Sequence, residues 1–176
     1  MTELTKQQRD SYRTPLYVFE WLNQRFNFTV DGCADEQNSL MCCYIGKEGM
    51  AENFLDFDHM DLISEMCDSN LRFFVNPPYS DVTPFLQRAK ALRDLGFLVV
   101  VLLNNDKSTQ WYQNHVHNVA NEVIDIIGGR ISFLHPVTKE EVKGNSKGQM
   151  VVVFDPAMND FVQRSVSFDF IKTFAH

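Results

Sequence analysis

Asn76-Pro77-Pro78-Tyr79 is the segment of this chain whose residue types could do chemistry together. An amine conjugated to an aromatic ring is a poor nucleophile, because its lone pair is delocalised into the ring. Two fixed acceptors, the Asn76 side-chain oxygen and the Pro77 carbonyl, can take the two amine hydrogens and hold the nitrogen closer to tetrahedral geometry. Consecutive prolines hold the backbone stiff and remove two donors, so the carbonyl direction is set before a substrate arrives. Tyr79 offers a flat face on which a planar ring can stack. The bland alternative is a proline-rich turn that only ends a strand. Asn before and Tyr after, immediately behind an apolar run, favour the site.

Such a turn must be held by rigid elements. Leu71 to Val75 reads as an apolar strand stopped by Pro77-Pro78. Thr83-Pro84 then has the form of an N-cap with proline at the first helical position, before Phe85, Ala89 and Leu92. Ligands of open α/β sheets sit beyond the carboxyl ends of strands, which is where the turn falls. Upstream, Thr14-Pro15 repeats the helix-start signature and predicts a helix over about residues 15 to 26, with Leu16, Phe19, Leu22 and Phe26 on its apolar face. Phe28-Thr29-Val30 is a short buried strand that delivers Asp31 and Gly32 to a loop. Residues 34 to 56 read as mostly loop with short helical pieces.

Downstream of Gly96, the unbroken apolar run Phe97 to Leu103 has the pattern of a central parallel strand buried on both faces. A helix over Trp111 to Val119, a strand over Glu122 to Ile127, a Gly128-Gly129 turn into a strand at Ile131 to Leu134, a polar loop over 136 to 148 and a strand from Gln149 to Phe154 follow. Helices alternate with strands at first and strands then follow one another, so the expected fold is α/β, one domain, with a mixed, mainly parallel sheet and an antiparallel C-terminal edge. A polar leader over 1–11 and a C-terminal tail over 157–176 flank it.

With 44% hydrophobic residues, 176 residues can bury a core of that size. No apolar run approaches the roughly 18 residues of a membrane span, and no signal peptide is visible, so a soluble, cytoplasmic protein is expected. Cys33, Cys42, Cys43 and Cys67 match neither a zinc ribbon nor a redox pair and read as reduced structural thiols. His115 and His117 would face apart on a helix, and Asp56, Asp58, His59 and Asp61 read as a solvated face, so no metal site is expected. A formal charge of −7 excludes a surface that grips nucleic acid everywhere; any such contact must be local.

Several segments, in order, resemble the phage-type DNA N-6-adenine-methyltransferase (Dam) family of class I methyltransferases. They are Tyr12 to Pro15, Phe28 to Ala34 with Asn38, Asn76 to Ser80, Thr109 to Tyr112, Gly129 to Phe133 and Val151 to Phe154. The resemblance implies a single Rossmann-like domain, S-adenosyl-L-methionine as cofactor and the exocyclic amino group of adenine in DNA as acceptor. It implies catalytic roles for Asn76, Pro77, Pro78 and Tyr79. Thr14, Pro15, Asp31, Cys33 and Ala34 would form the cofactor pocket, Asp31 taking the methionine ammonium or a ribose hydroxyl. Glu48 and Asp56 rank behind it as ribose-binding acids, by the logic of a carboxylate accepting from two hydroxyls.

Tyr79, Trp111 and Arg130 would contact the substrate, against the plainer readings of a core aromatic for Trp111 and a solvated cation for Arg130. Lys139, Lys143 and Lys147 offer the best local positive patch for DNA, although Glu140 and Glu141 offset it. The chain departs from the family's habits at Asn104 to Lys107, often Pro and Arg there, and at Gln149, often Ser, so target recognition is expected to differ. Adenine in a duplex hides its amine, which implies base extrusion or a single-stranded substrate. No separate recognition domain is visible, so specificity is expected to be short, or shared across a homodimer.

Two other readings stay open on the residues. A glutamine side-chain amide on a protein poses the same lone-pair problem, though enzymes of that kind usually carry a Gly-rich cofactor loop and this chain offers only Asp31-Gly32-Cys33-Ala34. A catalytically silent DNA-binding or decoy domain is the third, and an intact Asn-Pro-Pro-Tyr turn speaks against it.

Overall fold

The structure, a computed structural model, describes residues 12–142 and 144–175. The polar leader through residue 11, Lys143 and His176 lie outside the described residues. Apolar periodicity makes α1 (Leu16–Phe26), which buries Val18, Phe19, Leu22 and Phe26. β1 (Val30–Asp31) follows, and α2 (His59–Met66) is capped by the Asp58 carboxylate, which accepts from the Met60 amide. β2 (Arg72–Val75), α3 (Thr83–Asp94), β3 (Leu98–Asn104) and α4 (Gln110–His115) continue the alternation. The chain then runs through β4 (Glu122–Ile127), β5 (Gln149–Phe154), β6 (Val162–Ser167) and α5 (Phe168–Lys172).

These strands form one mixed sheet in the order β1-β2-β3-β5-β4-β6. β1, β2 and β3 pair in parallel, β5 runs antiparallel between β3 and β4, and β6 pairs in parallel with β4. Side chains alternate across the pleat. Phe73, Val75, Val99, Val101 and Val152 join α2, α3 and α4 in one apolar layer, while Phe74, Val100, Leu102 and Val151 join α1 and Ile171 of α5 in the other. Each wholly buried Phe or Leu contributes about 1.5–3 kcal/mol. The outcome is the predicted α/β class, three layers deep.

Several elements differ from the sequence-based expectation. The first helix begins at Leu16 with Pro15 as its N-cap, and no side chain caps it. Residues 34 to 56 hold turns and two isolated parallel bridges, Asp31 with Tyr44 and Ile45 with Ala51, in place of helical pieces. The solvated acidic stretch around Asp58 is the start of α2. The helix predicted through Val119 stops at His115. Ile131 to Leu134 is no ladder strand: the Ile131 amide donates to the buried Gln149 side chain at 3.0 Å, and Leu134 makes only isolated bridges to Arg13 and Glu141. Residues 157 to 176 are not merely a tail, since they supply β6 and α5. No helix of the described residues is long and apolar enough to cross a membrane.

Candidate active site

β1 ends in Asp31, which is 3% exposed. Its carboxylate accepts from the Leu40 amide at 3.1 Å and the Cys33 amide at 3.4 Å. Burial outweighs those two N–H groups and raises its pKa to about 6. Burial, and then the Asp31 charge, also push the Cys33 thiol well above its ordinary range, so Cys33 is a neutral wall residue and not a nucleophile. The backbone around the acid is pinned: the Gly32 amide donates to the Phe74 carbonyl at 2.7 Å and the Ala34 amide to the Ile45 carbonyl at 3.0 Å. Gly46 completes this wall, and a Cβ there would stand 1.7 Å from the Ala34 carbonyl oxygen.

Asn76 follows the last residue of β2, one strand over from Asp31. Its Nδ2 donates to Thr14 Oγ1 at 3.1 Å, and Thr14 is itself 6% exposed. Pro77 behind it is buried. The half-buried Tyr79 ring meets Phe133 edge to face, centroids 6.0 Å apart at 81°. Its hydroxyl is buried with no hydrogen-bond partner among the described residues, and burial raises its pKa. Phe133 belongs to the strap of residues 128 to 142, which Gln149 and the backbone pairing of Leu134 with Arg13 hold over the turn.

Two cavities open beyond β1 and β2. A small one of about 50 Å³ is lined by Arg13, Thr14, Asp31 and Asn76 among others. A larger one of about 270 Å³ is lined by Ala34, Gly46, Glu52, Asn53, Asn76 and Pro78 among others. Asn76, Cys33 and Asn38 line both, so the cavities meet at the turn.

Of the residues singled out in the sequence, Thr14, Asp31, Cys33, Ala34, Asn76 and Pro78 line this cleft. Pro15 and Pro77 are buried beside it. Glu48 and Asp56 line neither cavity: Glu48 is exposed, its backbone carbonyl accepting from the Tyr44 hydroxyl at 3.1 Å, and Asp56 is exposed before α2. Glu52 and Asn53 line the larger cavity instead, directly after the bridged Ala51. The sequence signal for them is weak, because that two-residue bridge has no periodicity to read.

Trp111 lies outside both cavities, against the core beside Tyr112. Arg130 is exposed on the strap and donates to the Asn145 carbonyl at 2.9 Å. Lys139 is exposed, and Lys147 pairs with Asp106 at 3.1 Å. The departures at Asn104 to Lys107 and Gln149 carry internal bonds: Asn105 and Lys107 both reach the Asp125 carboxylate, and Gln149 pins the strap.

The six-stranded mixed α/β sheet is consistent with a single Rossmann-like methyltransferase domain. The family model described as DNA N-6-adenine-methyltransferase (Dam) matches residues 1–169, and the chain belongs to that family. It is 38% identical over 154 residues to the DNA N-6-adenine-methyltransferase of Haemophilus phage HP1 (strain HP1c1), covering 86% of this chain and 82% of that protein. It is 26% identical over 172 residues to the protein of the same name from Escherichia phage T1, covering 89% of this chain and 67% of that one.

Proposed function

We propose that this chain methylates the exocyclic amine of adenine in DNA, with S-adenosyl-L-methionine as methyl donor and the Asn76 turn as the catalytic element. The observation that carries the reading is that Asn76 lines both cavities beyond β1 and β2, with the buried Asp31 across the smaller one. The residues fit the donor. Asp31 and Arg13 line one cavity with opposite charges, suited to the ammonium and carboxylate of a methionine end. Glu52 and Asn53 in the larger cavity suit a nucleoside's hydroxyls, and Cys33, Ala34 and Pro78 give it neutral walls.

When bound, S-adenosyl-L-methionine supplies an electrophilic methyl group on a sulfonium, so the protein's task is positioning. Asn76 Oδ1 and the Pro77 carbonyl take the two amine hydrogens and turn the nitrogen lone pair toward the larger cavity. Pro77 and Pro78 fix the direction of that carbonyl before the base arrives. The methylated nitrogen is strongly acidic until it loses a proton, so water suffices as the acceptor. Tyr79 stacks on the base after it has left the duplex. The exposed cations of the strap, Arg130 and Lys139, meet the backbone beside the flipped nucleotide.

Purified protein incubated with methyl-labelled S-adenosyl-L-methionine and unmethylated DNA should place label on adenine N6, and Asn76→Ala should slow transfer about 10²- to 10³-fold. Label recovered in protein and not in DNA would move the acceptor to a glutamine side chain. Failure of the cofactor to bind in calorimetry would make the chain a silent DNA-binding domain.

A further inference from the structure

Thr14 precedes a proline at a helix start, the position where a threonine hydroxyl ordinarily caps the helix. Here it does not: Pro15 is the N-cap of α1, with no side-chain bond. The Thr14 hydroxyl instead takes a hydrogen from Asn76 Nδ2 at 3.1 Å, across 62 positions of sequence.

That bond bears on a weakness of asparagine as a catalytic acceptor. A carboxamide has a donor end and an acceptor end of nearly the same shape, and its terminal torsion is broad and roughly two-fold. Turned one way, Asn76 offers Oδ1 to the target amine; turned the other way, it offers N–H groups and opposes the reaction. The prolines fix the backbone but not this torsion.

We propose that Thr14 is a positioning residue that sets which end of the Asn76 carboxamide faces the target amine. The inference rests on the catalytic reading of Asn76 given above. A hydroxyl can give or take a hydrogen bond, so something must commit Thr14 to taking one. Thr14, Asn76 and Asp31 line the same small cavity. Hydroxyl and amide dipoles orient in the local field. The Asp31 carboxylate draws the Thr14 hydrogen toward the cavity and favours the Nδ2 end of Asn76 on that side. The Thr14 lone pair then receives Nδ2, and Oδ1 is left for the amine.

The test uses Thr14→Val, close in shape but without the hydroxyl, and Thr14→Ser, which restores it, each alone and combined with Asn76→Asp. A carboxylate has no wrong end, so its orientation needs no guide. Thr14→Val should lower kcat about 10- to 100-fold, the effect of one misdirected buried hydrogen bond, with little change in KM for DNA. Thr14→Ser should return kcat to within about threefold of the parent. In the Asn76→Asp background, Thr14→Val should change kcat by less than about threefold.

A second readout needs neither cofactor nor activity. In ¹⁵N-labelled protein the Asn76 side-chain NH₂ should show contacts to the Thr14 side chain and slowed exchange, and Thr14→Val should remove the slowing. Equal losses of kcat in both backgrounds, no rescue by serine, or a freely exchanging Asn76 amide in the parent protein would each overturn the proposal. No methyl transfer to DNA by the parent protein would overturn the underlying reading, and the amide measurement would still decide the orientation.

Discussion

On the proposed mechanism, replacing Asn76 by Ala leaves one acceptor, the Pro77 carbonyl, where two are needed. Loss of one preorganised partner at a reacting centre costs about 10²- to 10³-fold in kcat, and calorimetry should show cofactor affinity little changed. Asp31 answers to pH. Its carboxyl titrates at about 6 in the fold against an ordinary 3.8, because burial disfavours the charge. Between those values the folded protein holds a proton that the unfolded chain has lost. The cofactor-free protein should therefore become more stable as pH falls from about 6 toward 3.8, and Asp31→Asn should lack that dependence in thermal melts. A bound cation needs the ionised carboxylate, so cofactor affinity should run the other way, weakening about tenfold per pH unit below the Asp31 pKa. Both residues were legible in the sequence, since each follows a short apolar run where a sheet leaves its ligands. Glu52 and Asn53 were not, because which residue of an irregular loop faces a cavity depends on contacts made elsewhere. Glu48 and Asp56, a few positions away, do not line it.

Among the elements, the wall formed by residues 31 to 46 depends on one close approach. Gly46→Ala places a methyl group on the Ala34 carbonyl, and the loop must move or the wall open. A loss of about 2 kcal/mol or more is expected in urea denaturation, with a weaker cofactor complex by calorimetry. Apolar runs made β3, β4 and β5 plain from the sequence, because strands buried on both faces need little else. α2 was hidden: its cap is one acid in an acidic stretch, and Leu62 is its one buried residue. β6 was hidden for the opposite reason, since an edge strand reading VQRSVS and mostly exposed carries no apolar signal. Thr14-Pro15 correctly marked a helix start, yet the threonine is engaged by Asn76 and not by the helix.

At the scale of the whole molecule, the pole away from the cleft is tied by Glu122, the first residue of β4 and 1% exposed. It accepts from Arg25 of α1 at 3.0 and 2.7 Å and is paired with Arg164 of β6. Glu122→Gln removes the charge that two arginines share. The cost should be about 2–3 kcal/mol, below the figure for a wholly buried pair because both arginines reach solvent. Equilibrium denaturation measures it, and kcat at low temperature should be unchanged because Glu122 begins its strand at the end opposite the cleft. The formal charge of −7 also belongs to this scale. It speaks against a broadly basic face, so on the proposed reading DNA is met by the few cations of the strap.

The position of β6 has one more consequence, for the nascent chain. β1, β2 and β3, with Asp31 and Asn76 at their ends, are neighbours in both sequence and sheet and can pair as they leave the ribosome. β5 must then slip in between β3 and β4, and β4 keeps a bare edge until Ser167 has been made. The half that carries Asp31 and Asn76 is therefore assembled early, while the far half stays open to wrong strand partners until β6 has been made.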